Sequence, residues 1–416
     1  MRLREIPQSG VVRRLATRDG WSREWSRRMR LPLTAPPSLS GSGGIDPGRL
    51  PTTGELGLTH ACAAVERRGD VQAGGEKRAL ATLDGFLAGR GARYAKEMSS
   101  PLTAPSSCSR LSPYLAWGAI SMRTVVQRAD AALADAVDGS AAIPRASLRA
   151  FLGRLHWHCH FMQKLESEPA IEHRCFNRAY EDLRSEAHPE RLGAWREGRT
   201  GYPFVDACMR YLQTHGWINF RMRAMLVSFA AYDLWLDWRR LRDFLARQFA
   251  DYEPGIHYSQ LQMQSGVTGI NTLRIYSPVK QGVDQDPDGA FVRRWCPELA
   301  GVPTSAVHTP WMLSPAQQRK SGCVLDRDYP RPIVDHAAAV RHARARFAEV
   351  RRSDFGREEA ARVYELHGSR RGPPGSAQRR RSRARRLTGA DEPEFESTSE
   401  HRDDGKRDQL RLALDD

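Results

Sequence analysis

The stretch DYEPGIHYSQLQM, Asp251 to Met263, sets two acids one residue apart, then Pro254-Gly255, then His257. Such a set suits a metal ion, a hydrogen-bonding ledge for a cofactor, or a plain loop between helices. Upstream, Arg221 and Arg223 open an apolar stretch just after Gly216-Trp217. The first turn of a helix offers free backbone N–H groups and the positive end of the dipole, so arginines there can build an anion site. A guanidinium in an apolar setting is costly unless paired, which makes Asp251 and Glu253 candidate partners. In RLHWHCHF, His156 and His160 stand at the spacing of the HExxH zinc pair. The glutamate of that motif is absent and no third ligand is evident, though His173 and Cys175 are donors of the right type; an aromatic and polar wall is the preferred reading over a metal site. Finally, SSCSRLSPYLAWGAIS gathers hydroxyls around Arg110. Short hydroxyls with backbone amides can hold a phosphate, or do no more than cap a helix.

These residues need elements to position them. Helical texture begins near GGEKRALATLDGFLAGRGARYAKE, where Leu80, Leu83 and Leu87 share a stripe and Gly89 and Gly91 act as stops. In PFVDACMRYLQTHG, Pro203 suits a first turn, Phe204, Cys208 and Leu212 form one face, and Gly216 suits the residue after a helix. NFRMRAMLVSFAAYDLWLDW is apolar nearly all round from Met222 to Trp238, which predicts a central buried helix. Strand-helix alternation, GxGxxG and GxxxxGK[ST] are all missing, so Rossmann and P-loop readings have no support.

At 416 residues the chain has room for a large core, and its net charge of +15 sits largely at the ends. Residues 1–72 read as a linker-like, largely irregular segment, 73–353 as a helical domain, and 354–416 as a basic, then mixed-charge tail, mostly disordered. Seven scattered cysteines without a CxxC pair suit a reducing compartment. No apolar run reaches the roughly 18 residues of a membrane span, and the N-terminus does not read as a signal peptide. The expectation is therefore a cytoplasmic protein, working as a monomer.

Taken in order, GEKRALATLDGFL, SRLSPYLAWGAIS, GRTGYPFVDACMRYLQTHGWINFRMR, DWRRLRDFLARQFADYE, RIYSPVKQGVDQDPDGAFVRRWCPELAGVP and DYPRPIVDH resemble the DNA photolyase and cryptochrome family from about residue 75 to 350. The resemblance implies a mainly α fold, the helical FAD-binding domain of that family, with flexible N- and C-terminal segments. The resemblance begins at the family's interdomain linker, after its α/β antenna domain, which implies either that this domain was lost or that the chain is a fragment of a longer protein. FAD phosphates would lie against Cys108, Ser109, Arg110, Leu111 and Ser112, with Tyr94 upstream. Arg223 would pair with Asp251, Glu253 would face the ribose, and His257 would lie by the isoalloxazine, donating to N5 or stabilising a reduced anionic flavin, and titrating near neutral pH.

The resemblance also implies repair by electron transfer from excited, reduced FAD to a pyrimidine dimer flipped out of DNA. Trp157, Arg154 and Arg221 would face that lesion, and Trp238 matches the middle member of the usual electron chain. Departures bear on this. Arg154 stands where repair enzymes carry a glutamate, Phe220 replaces the asparagine of NRxR beside Asn219, and Leu261 and Met263 replace two tryptophans. Three expectations follow: a light-driven repair enzyme acting on damaged DNA, a flavin photosensor without repair activity, and a non-catalytic nucleic-acid-binding protein driven by its arginine-rich ends.

Overall fold

The computed structural model describes residues 6, 8–35, 38, 46, 48–58, 71–137, 139–140 and 142–368. Among them there is no β-strand, only an isolated bridge between Leu325 and Tyr329. The main helices are α1 (Trp21–Met29), α2 (Glu76–Leu87), α3 (Ser112–Ala116), α4 (Met122–Asp135), α5 (Arg145–Ser167), α6 (Pro189–Glu197), α7 (Pro203–His215), α8 (Phe220–Ser228), α9 (Trp238–Gln248) and α10 (Pro254–Gln264). They continue with α11 (Pro278–Gln285), α12 (Ala290–Trp295), α13 (Pro315–Lys320), α14 (His336–Arg352) and α15 (Asp354–His367).

Two hydrophobic clusters flank α5. One joins α1, α2, α4 and the first half of α5 through Trp21, Met29, Leu83, Phe86, Val125 and Phe151. The other joins α7 to α10, α12 and α14 through Phe204, Met225, Phe229, Trp238, Phe291 and Phe347. α7 starts and stops as its sequence dictates: Pro203 occupies the first turn and Gly216 follows in the left-handed conformation at φ 65°. Asp206 ties the turn before it, accepting from Thr200 N at 2.8 Å, Thr200 Oγ1 at 2.7 Å and Gly201 N at 3.1 Å, and from the Tyr329 hydroxyl.

Three elements differ from the sequence expectation. The linker-like segment holds α1, whose Trp21, Trp25 and Met29 are buried against α5, so part of residues 1–72 belongs to the folded body. The tail expectation fails likewise over α15: its Val363 packs on Ile171 and Phe176, and Arg362 and His367 bond Glu168. The basic run Arg370–Arg386 and the short helix expected near the C-terminus lie outside the described residues. Third, the apolar stretch from Met222 to Trp238 is not one helix. α8 widens into a π-helical turn at Phe229–Asp233, and Trp235 takes φ 56°. A wide turn frees carbonyls, and the buried Arg184 meets one of them, donating to Ala231 O at 2.8 Å, while its other bond, to Ser265 O at 3.0 Å, ties the turn to the end of α10.

Candidate active site

α5 and α10 approach so closely that a Cβ on Gly255 would lie 2.7 Å from Met162 Cα. Pro254 fills the first turn of α10, so the Pro-Gly pair starts a helix rather than interrupting one. This packing turns the α10 start and the middle of α5 towards one cavity of about 410 Å³, a ligand-sized space.

Of the cofactor-binding residues expected from sequence, Tyr94, Cys108, Ser109, Arg110, Ser112, Arg223, Asp251, Glu253 and His257 all line this cavity. Leu111 does not: its side chain is buried in the cluster around α2 and α5. Within 108–112 three backbone carbonyls accept hydrogen bonds from side chains. Arg90 donates to Cys108 O and, at 3.0 Å, to Ser109 O, while Gln72 donates to Arg110 O at 2.8 Å. Repulsive acceptors are thereby occupied, leaving the Ser109 and Ser112 hydroxyls and Arg110 for an anion. Arg110 stands at φ 61° with its guanidinium 3.9 Å from the Trp217 ring centroid.

Arg223 and Asp251 form a bidentate pair at 3.0 and 2.8 Å, and Arg223 Nε donates to Ile218 O at 2.7 Å. The guanidinium also packs over Phe249 at 4.3 Å. Glu253 is different. Its side chain is 8% exposed, its Oε2 has no hydrogen-bond partner among the described residues, and burial pushes its pKa up to about 7. His158 Nε2 is 3.9 Å away, too far for a hydrogen bond, and burial lowers that histidine to about 4. His158 is therefore neutral at physiological pH while Glu253 is about half protonated, and the two do not form an ion pair.

His257 corrects an expectation. Its Nε2 lies 2.9 Å from the Arg242 carbonyl, an acceptor only, so Nε2 carries the proton and Nδ1 is left as an acceptor. Burial lowers its pKa to about 4, so it stays neutral near pH 7 and does not titrate there.

Trp157, Arg154 and Arg221, expected to face DNA, also line the cavity. Trp157 packs on His160 and Phe161 with centroids at 4.8 and 5.5 Å, and Arg154 lies 5.3 Å from the Phe220 ring. Trp238 stands apart: it is fully buried off the cavity and donates from Nε1 to Cys175 Sγ at 3.4 Å. Leu261 and Met263 are part of the wall. Asn219, at the start of α8, fastens the 98–99 backbone with bonds of 3.1 and 2.7 Å.

His156 and His160 are spent on the N-terminal segment, bonding Ser22 Oγ at 2.9 Å and Arg18 respectively. Among the described residues no group of three or more His, Cys, Asp or Glu is placed to hold a metal ion. Sequence reasoning missed Trp217, Phe249, His158 and Tyr252 as lining residues. Tyr252 sits between two acids already singled out, which was the available signal.

The donor set fits FAD. A dinucleotide with a pyrophosphate needs cations and hydroxyls, and its flavin ring needs apolar walls and a few polar partners; the orphaned Glu253 oxygen and the neutral His257 are such partners.

Residues 151–349 match the model of the FAD binding domain of DNA photolyase. A deoxyribodipyrimidine photo-lyase of Halobacterium salinarum is 32% identical over 336 residues, 79% of this chain and 67% of that protein. Cryptochrome DASH of Gloeobacter violaceus is 31% identical over 322 residues, 75% of this chain and 61% of its own length. Among solved structures, a class III photolyase from Agrobacterium tumefaciens superposes with a TM-score of 0.64 at 30% identity, covering 70% of this chain and 59% of that one. The chain spans 54% to 67% of the length of the first curated relatives it matches. Together with the helical fold and the cavity's donor set, these likenesses show that the chain belongs to the DNA photolyase and cryptochrome family and carries its FAD-binding domain.

Proposed function

We propose that this chain repairs pyrimidine dimers in DNA by light-driven electron transfer. When bound, excited and reduced FAD supplies one electron to the dimer and recovers it once the ring bonds have opened. The observation that carries the reading is the make-up of a single cavity, where the Arg223–Asp251 pair and the hydroxyls of 109–112 share walls with Trp157, Arg154 and Arg221. Trp157 offers a flat face on which an extruded pyrimidine stacks. Arg154 and Arg221 supply cations for flanking phosphates. A second, open cleft of about 540 Å³ shares Thr272 and Arg274 with the cavity and adds Arg344, Arg351 and Arg352. It extends the positive surface along which a nucleic acid backbone would run. A neutral Glu253 carboxyl near a bound flavin can donate a hydrogen bond that a carboxylate cannot.

The direct test is blue-light-dependent loss of dimers from irradiated DNA, using protein reduced beforehand. No loss under those conditions refutes the reading. Arg154→Glu should weaken DNA binding and flatten the log-log salt dependence by about one unit for each phosphate that is no longer neutralised; an unchanged slope places Arg154 away from the backbone. We further propose that the chain acts as a monomer in the cytoplasm. The six cysteines among the described residues are free, five of them buried, which suits a reducing compartment, and no described helix is long and apolar enough to cross a membrane. Light scattering tests the monomer.

A second reading, a flavin photosensor without repair, is favoured by Arg154 at the substrate wall and by Leu261 and Met263 beside it. It requires an absorption spectrum that changes on illumination while dimers persist.

A further inference from the structure

Two glutamines near the end of α10 are used very differently. Gln262 is fully buried and fully spent: its Nε2 donates to Ile171 O at 2.7 Å and Arg174 O at 2.8 Å, and its Oε1 accepts from Phe176 N at 2.6 Å. It pins α10 to the 171–176 segment and lies off the cavity. Gln264 lines the cavity and is only 4% exposed, yet its side chain makes a single bond, from Nε2 to Gln260 Oε1 at 3.1 Å. Its Oε1 and its second N–H have no partner among the described residues. A primary amide can accept twice and donate twice, so burying one with most of that capacity idle is costly unless a ligand takes it up.

The rest of the wall makes that idle acceptor distinctive. Arg154, Arg221 and Arg274 can only donate, and Phe220, Leu261 and Met263 offer no strong acceptor. Asp251 is taken by Arg223, Asn271 Oδ1 by the Thr268 hydroxyl at 2.8 Å, and Gln260 Oε1 by Gln264 itself. Asn219 Oδ1 is sealed in the packing, and Thr272 sits on the exposed rim, in reach of water. Glu253 and His257 belong to the start of α10, whereas Gln264 closes its last turn, about 16 Å further along the axis than Glu253. Gly266, two residues on, packs against Leu273, so this end of α10 lies beside Thr272 and Arg274, which the cavity shares with the open cleft.

A thymine in a cyclobutane dimer has lost its C5–C6 double bond but keeps its imide edge, an N3–H donor between two carbonyl acceptors. Guanidinium groups satisfy the carbonyls and leave N3–H buried without an acceptor. A primary amide complements the edge, because it accepts from N3–H and donates to the adjacent carbonyl together. We propose that Gln264 reads the imide edge of the flipped pyrimidine, Oε1 accepting from N3–H and the idle Nε2–H donating to the carbonyl beside it. Gln260 is a positioning residue: its Oε1 holds the other N–H of Gln264 and so fixes which end of the amide faces the ligand. The inference rests on the repair reading and adds to it the base that the cavity selects, a pyrimidine with N3–H, thymine or uracil, over cytosine, whose N3 carries no hydrogen.

The test measures dark binding of the FAD-loaded full chain to duplexes carrying one thymine dimer, with N3–H intact or with N3 methylated, and to undamaged DNA. Wild type should favour the intact dimer over the methylated one by about tenfold or more. Gln264→Met, of matching length and without a donor or strong acceptor, should bind both alike while keeping the salt slope of wild type, since phosphate contacts are untouched. Gln260→Leu should lower the preference and leave the absorbance of bound flavin as in wild type. Equal binding of the two dimers by wild type overturns the proposal with no variant to fold. So does Gln264→Met that keeps the full preference, which then reports exclusion of the methyl group by shape. A shifted flavin absorbance in Gln264→Met with the preference intact also overturns it, placing the amide against the flavin. The two readings fail differently. A wild type that repairs dimers but treats both alike refutes the role of Gln264 alone, whereas one that binds dimers no better than undamaged DNA and repairs none refutes the repair reading and this recognition with it.

Discussion

Glu253→Gln probes the cavity electrostatics most directly. In the native protein burial raises the carboxyl from its ordinary 4.5 to about 7, whereas in the unfolded chain it titrates normally. Below pH 4.5 it is protonated in both states and costs nothing. As pH rises towards 7 the unfolded chain ionises first, so the native state, which holds more protons, loses stability by about 1.4 kcal/mol per pH unit. Over the shift of roughly 2.5 units the loss reaches about 3 kcal/mol and then stays constant at higher pH. Glutamine keeps the shape and stays neutral, so the variant should gain about that much over wild type between pH 4.5 and pH 8. His158 and His257, both lowered to about 4 by burial, work in the opposite sense: their stability is lost as pH falls from 6.5 towards 4. They are common to both proteins and cancel in the difference. Denaturant unfolding of the flavin-free protein at several pH values measures it. A wild-type minus variant difference that does not change with pH refutes the reasoning.

Three further outcomes follow from the packing. Arg223→Ala leaves Asp251 buried without its partner, at 3% side-chain exposure; a cost of about 3 kcal/mol and loss of bound flavin are expected, read by thermal melting and absorbance. Gly201→Ala meets both a positive φ of 78° and the Arg331 carbonyl, 2.1 Å from the added Cβ, so melting should fall as for a loss of about 2 kcal/mol or more. Trp21→Ala removes the α1 anchor, buried to 3% exposure, and should destabilise the helical body by about 3 kcal/mol in denaturant unfolding, which separates a docked helix from a passive linker.

The amino-acid sequence by itself determined the helical class and the limits of α7, and its resemblance to a known family implied the cofactor. The first two rest on local rules: the proline at a first turn, the left-handed glycine after a last one and the apolar stripes; the third rests on ordered family motifs, whose residues converge on one cavity. The demand of a buried cation for an acid made Asp251 and Glu253 candidate partners, and the family resemblance chose Asp251 for Arg223. Tertiary structure alone decided the rest. α1 reads as linker because it is short and strongly charged, with as many arginines as apolar residues, yet Trp21, Trp25 and Met29 fall on one face and α5 offers a surface to cover them. The end of α8 is equally apolar whether it continues or widens; Arg184, distant in sequence, supplies a donor to the Ala231 carbonyl of the wide turn. The charge state of His257 is likewise set by packing. Composition reports an imidazole that titrates near neutral pH, while its burial and the Arg242 carbonyl, which keep it neutral and turn it into an acceptor, exist only once α9 and α10 have packed.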